Sequence, residues 1–141
     1  MPGFAIRKTF PVSRERMWSI FADFGVSSTP STKIELESQG DVERGHIGAI
    51  RRIYIGRDVY REKLTAYQPG KLLSYQLLEG APVDDYAGTI EIDGDDQQST
   101  VTWRVGFRPR FPVPAWMVEK NASRVINGIL NELHGIVSNP G

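Results

Sequence analysis

Ile47-Gly48-Ala49-Ile50-Arg51-Arg52-Ile53-Tyr54-Ile55-Gly56-Arg57-Asp58-Val59-Tyr60-Arg61-Glu62-Lys63-Leu64-Thr65-Ala66-Tyr67 reads as two extended stretches folded about a two-residue turn. Apolar and polar residues alternate on either side of Gly56-Arg57. A glycine at the first central position suits a type II′ turn, whose twist matches that of the strands it joins. The turn fixes the register: Ile55 faces Asp58, Ile53 faces Tyr60, Arg51 faces Glu62, and Arg52 faces Arg61 on the opposite side. One face is then apolar, with Ile53, Ile55, Tyr60 and Leu64 around a single ion pair. The other carries Arg52, Arg61 and Lys63 and must be solvated.

The same period of two extends from Lys33 to Arg108 and predicts a meander of strands. Pro69-Gly70 fits the two central positions of a type II turn, after which Leu73, Tyr75 and Leu77 continue the inner face. Tyr86, Gly88, Ile90 and Ile92 share one side of the next strand, the polar run Asp93 to Gln98 turns the chain, and Val101, Trp103, Val105 and Phe107 follow. Pro109, Pro112 and Pro114 stop the sheet. At the other end, Phe4, Ile6, Lys8 and Phe10 form an opening strand closed by Pro11. Ser13 then caps a short helix carrying Met17, Trp18, Ile20, Phe21 and Phe24, broken near Gly25. The segment Gly25 to Ser31 is a connection.

From Pro114 to Val137, Val118, Ala122, Val125, Ile129, Leu133 and Ile136 recur at helical spacing, which predicts one long amphipathic helix. Gly128 lies inside it at a cost of about 1 kcal/mol relative to Ala, a cost that close packing by a neighbour would justify. These elements define an α+β layer arrangement over residues 1–141 as one domain. A curved antiparallel sheet of six or seven strands wraps a long C-terminal helix, with two short helices after the first strand. One helix cannot fill the concave face of such a sheet, so a pocket is expected between them.

The composition excludes several classes. Among 141 residues, 17 Lys and Arg balance 17 Asp and Glu, so the formal net charge is zero and the chain has no general pull on nucleic acid or anionic lipid. A hydrophobic content of 40%, without a long apolar run, fits a globular domain and not a disordered chain or a membrane span. Without cysteine there is no disulfide, thiolate zinc site or thiol nucleophile. His46 and His134 cannot form a metal cage alone. No metal and no cofactor is expected, since no phosphate-binding loop or Ser-His-Asp set is present. Residues 1–8 lack the apolar core of a signal peptide, which points to the cytoplasm. The sequence is compatible with a monomer or a homodimer.

Gly48-Ala49-Ile50-Arg51, Arg61-Glu62-Lys63-Leu64, Leu73-Ser74-Tyr75, Pro82 through Ile90 and Val101-Thr102-Trp103 together resemble the START-like or Bet v 1-like superfamily, in particular its polyketide cyclase/dehydrase and lipid-transport branch. The resemblance covers nearly the whole chain. It implies a helix-grip fold and a hydrophobic ligand in the space between sheet and C-terminal helix. That scaffold hosts carriers, receptors, cyclases and dehydratases alike. The strands holding Glu62 and Tyr86 also resemble those of plant abscisic acid receptors, in which the matching Glu and Tyr face the hormone. The short turn at Gly56-Arg57 and the run Ala81-Pro82-Val83-Asp84 depart from the closing loops of those receptors.

Arg51 and Glu62 are the candidate catalytic residues. The guanidinium is expected to keep the carboxylate charged within an apolar pocket, and a structural ion pair is an equally available reading. Ile53, Tyr60, Leu64, Tyr75, Leu77, Tyr86 and Trp103 on the sheet, with Val125 and Ile129 on the helix, are the candidate ligand-binding residues. The tyrosines offer apolar rings with polar tips suited to a flat ligand bearing a few oxygens, or else serve as core aromatics. Asp84 and Asp85 belong to a solvated loop at the pocket mouth, with Glu79 near the entrance. His46 is expected in solvent, and His134 off the apolar stripe of its helix. Arg104, Arg108 and Arg110 read as a solvated outer face.

Three functional readings follow: cyclisation or dehydration of a polyketide-like or aromatic substrate, with Glu62 moving protons and Arg51 steadying oxyanion charge; a non-catalytic carrier or sensor of a lipid or metabolite; and a protein-interaction module using the apolar segment Phe111 to Trp116.

Overall fold

The computed structural model describes residues 2–138. The chain forms β1 (Gly3–Phe10), α1 (Arg14–Phe21), β2 (Thr32–Ser38), a single 3-10 turn (Val42–Arg44), β3 (Ile50–Ile55), β4 (Asp58–Gln68), β5 (Leu72–Glu79), β6 (Val83–Gly94), β7 (Ser99–Pro109) and α2 (Ala115–Ser138). The seven strands make one antiparallel sheet in the order β1-β7-β6-β5-β4-β3-β2. No helix among the described residues is long and apolar enough to cross a membrane.

The hairpin follows its sequence. Gly56 adopts φ of 59°, and the ladder pairs Ile55 with Asp58, Ile53 with Tyr60, Arg52 with Arg61 and Arg51 with Glu62. Gly70 takes φ of 78°, and Lys71 N–H donates to the Gln68 carbonyl at 3.0 Å to close the second turn. Alternation in β6 and β7 buries Tyr86, Ile90, Ile92, Val101, Trp103, Val105 and Phe107 on the concave side.

One α-helix follows β1 where two were expected. Ser13 Oγ accepts from the Arg16 N–H at 3.1 Å to start α1, and Ala22 N–H closes it on the Trp18 carbonyl at 2.8 Å. Beyond it, side chains take over the backbone's hydrogen bonds. Gly25 N–H donates to Asp23 Oδ1 at 2.9 Å, and Ser27 Oγ donates to the Thr29 carbonyl at 2.6 Å. Such local bonds compete with helix formation.

Asp84 and Asp85 lie within β6 and not in a loop. A bulge between Asp84 and Ala87 absorbs the irregularity, with Asp85 at φ of 51°. Both carboxylates are exposed and paired, Asp84 with Arg110 at 2.7 Å and Asp85 with Arg108 at 3.2 Å, while Arg104 pairs with Glu91 at 3.1 Å. The three arginines are thus solvated and each is matched by an acid. Glu79 does not line the cavity and pairs with Arg61 at 3.6 Å.

The helix α2 is rotated relative to the stripe read from its spacing. Its buried seam is Val118, Ile126, Leu130, Leu133 and Val137, whereas Ile136 is exposed. The periodic residues admit two neighbouring stripes, and contact with β1 selects this one: His134 is half-buried with its ring 5.6 Å from that of Phe10. His46 is exposed, in the loop before β3. No neighbour packs on Gly128; a Cβ there would meet open space, as it would at Gly135.

Candidate ligand-binding site

A cavity of about 260 Å³ lies between the concave sheet face, α2 and the α1–β2 connection, just below the usual range for ligand pockets. Sheet alternation supplies Arg51 and Ile53 from β3, Tyr60 and Glu62 from β4, Tyr75 and Leu77 from β5, Tyr86 from β6 and Trp103 from β7. The helix α2 contributes Val125 and Ile129, which flank its buried seam. Leu64 is not part of the wall. It is 1% exposed and packed in the hydrophobic core, its N–H bonded to the Ala49 carbonyl at 2.8 Å.

Sequence reading missed several wall residues. Ile20 and Phe21 of α1 had the periodicity of core positions, and Val26 and Ser28 sit in a connection without regular pattern. Met117, Asn121 and Ala122 complete the α2 side. Ala122 was visible in the helical stripe. The exposed, polar Asn121 gave no signal in a hydrophobic pattern.

Arg51 and Glu62 are the only charged side chains on this wall among the described residues. Adjacent strand positions across the two-residue turn bring them together. Arg51 Nε and Nη2 donate to the same atom, Glu62 Oε1, at 3.0 and 2.9 Å. Nη1 donates to the Phe24 carbonyl at 3.1 Å, and the Phe24 ring covers the guanidinium at 3.9 Å from Cζ to the centroid. That stacking is a cation–π contact. The pair is nearly enclosed, with side chains 12% and 10% exposed.

Three phenols surround it. Trp103 Nε1 donates to the Tyr75 hydroxyl at 3.0 Å, and the two rings meet edge to face, as do those of Trp103 and Phe21. Burial, and then the charge of Glu62, hold the Tyr75 and Tyr86 hydroxyls well above the usual phenol range. Tyr60 is raised less, by burial first and then by Asp58, with Arg124 opposing. All three therefore keep their protons, each able to donate or accept a hydrogen bond. The arrangement can enclose an apolar ring and meet a polar group at one end. No cluster of His, Cys, Asp and Glu suited to a metal occurs among the described residues.

The exposed segment expected after β7 is also present: Phe111 is 95% exposed and Trp116 63%. It adjoins Val113 and Met117, which line the cavity.

Solved structures share this architecture. The protein XoxI from Bacillus cereus superposes with a TM-score of 0.81 at 18% identity, covering 99% of this chain and 97% of that one. A START superfamily protein from Mycobacterium smegmatis gives 0.79 at 16% identity, covering 98% of each chain. Ara h 8.0201 gives 0.76 at 19% identity, covering 97% of this chain and 98% of that one. No curated protein matches the sequence. At these identities the structures establish the fold, and residues 1–135 match the family described as polyketide cyclase / dehydrase and lipid transport; the chain belongs to that family.

Proposed function

We propose that the protein binds a small, largely apolar, cyclic or aromatic molecule in the cavity between sheet and α2. The observation that carries this is a largely apolar cavity wall interrupted by one ion pair and three phenols. A structural ion pair alone would not need an open volume beside it, whereas a ligand site needs a few placed polar groups in an apolar cavity. Small molecules extracted from freshly purified protein and identified by mass spectrometry test the reading. A cavity-sized apolar compound is expected from the wild type and not from Val125→Trp, which fills the space. Wild-type protein that carries no compound and is not stabilised by any aromatic ring compound in a thermal-shift screen would overturn it.

A second reading is catalytic. Glu62 Oε2 takes part in no hydrogen bond among the described residues, which leaves it free to take a proton from a bound molecule while Arg51 steadies developing negative charge. The reaction class is then cyclisation or dehydration. Glu62→Gln should lower turnover of such a substrate by roughly a hundredfold or more, well beyond its effect on affinity. Equal losses in both would leave simple carriage as the function.

A further inference from the structure

The hydrogen bonds around Arg51 narrow the chemistry of the ligand. Two of its donors converge on Glu62 Oε1, a third is taken by the Phe24 carbonyl, and the Phe24 ring covers its face. Glu62 Oε2 has no donor. The only sealed and unpartnered side-chain polar atom among the described residues is Ser99 Oγ, so Oε2 is not sealed, and Glu62 lines the cavity. A carboxylate oxygen in apolar surroundings is costly to leave without a donor.

The charge balance adds a second constraint. One positive and one negative side chain already cancel on this wall, so a charged ligand of either sign would leave an uncompensated charge in a poorly solvated space. Resting on the reading of the cavity as a ligand site, we propose that it selects an uncharged ligand whose polar group is a hydroxyl, phenol or alcohol, donating to Glu62 Oε2. The tyrosines agree with this choice. The charge of Glu62 acts on Tyr60, Tyr75 and Tyr86, opposed by Arg124 at Tyr60 and by Arg51 at Tyr75. A ligand carboxylate placed at Glu62 Oε2 would meet that charge at close range. An ether or ketone would leave Oε2 without its donor.

Isothermal titration calorimetry near neutral pH with 2-naphthol, 2-naphthoate and 2-methoxynaphthalene tests this, because the three share one ring system and differ in the polar group. The naphthol is expected to bind roughly tenfold or more tightly than the other two, the scale of one hydrogen bond to a charged acceptor. In Glu62→Gln the order of naphthol and naphthoate should invert, since Arg51 then lacks its counter-charge. Naphthoate or methoxynaphthalene binding the wild type as tightly as naphthol overturns the proposal and leaves the cavity reading standing. Binding of none of the three overturns the proposal, and the extraction and thermal-shift screen then decide the cavity reading separately. Should Glu62→Gln not fold, as its circular dichroism would show, the wild-type series decides by itself.

Discussion

Tyr75 on β5 lies across Gly88 of β6 to receive the indole N–H of Trp103 from β7. A side chain at position 88 would occupy the space of the Tyr75 ring, whose Cζ, Cε1 and hydroxyl oxygen are the atoms nearest to where a Cβ would stand. The glycine is therefore what permits an aromatic from one strand to reach over its neighbour and close the floor of the cavity.

Gly88→Ala should force that ring aside. Overpacking of a filled interior costs about 1–3 kcal/mol, and the Trp103 donor would lose its acceptor in a buried position. Urea denaturation is expected to show a loss in this range, accompanied by a shift in tryptophan emission. A midpoint unchanged from wild type would mean that Tyr75 does not depend on the bare backbone at position 88.

Alkaline pH should destabilise the protein through the buried phenols. Tyr75 and Tyr86 hold their protons above the usual range in the native state, whereas the unfolded chain releases them near pH 10. The stabilising contribution is fully present below that pH. Above it the unfolded state binds fewer protons than the native state, so the free energy of unfolding falls as pH rises. Unfolding midpoints followed from about pH 9 upward should decline, and Tyr86→Phe should make the decline shallower. Equal slopes for the two proteins would show that Tyr86 titrates alike in both states.

Replacing either exposed glycine of α2 should stabilise the fold. Gly128 and Gly135 are helical, and a Cβ at either meets no other atom. Each change to Ala is expected to add about 1 kcal/mol by removing the conformational freedom of glycine from the unfolded chain. The double variant should be close to additive, because the side chains added are small and far from contact. A destabilised Gly128→Ala would show that the helix surface at position 128 is not open in the folded chain.

The strands were legible because their information is local. A two-residue turn with glycine first leaves one register, and that register alone placed Arg51 opposite Glu62. The rotation of α2 was not legible. Val125 and Ile129 belong to one apolar stripe and Ile126 and Leu130 to the next, and both are hydrophobic enough to face a core. Only packing against β1 and the sheet decides between them. The connection after α1 was obscure for a different reason: the side chains of Asp23 and Ser27 hold it through bonds to the backbone of Gly25 and Thr29, which leave no hydrophobic period. Leu64 had the right parity for the cavity wall but the wrong depth. Parity says which face of a sheet a residue occupies, and the volume beneath each position is set by what the opposite layer puts there.

The polar couple arises inside a single hairpin, between residues 11 apart in the chain, whereas α2 closes over it from the far end of the sequence and ties back to Ser31 through Glu132, 101 residues away. Contacts this local form with little loop-closure cost and do not wait for the remote ones. The chemistry-bearing part and the shape-giving part of the cavity are therefore separately inheritable. Substitutions along α2 can enlarge, shrink or redirect the cavity while the two charged groups keep their geometry, so the shape of the space and the polar couple on its wall can vary independently of one another.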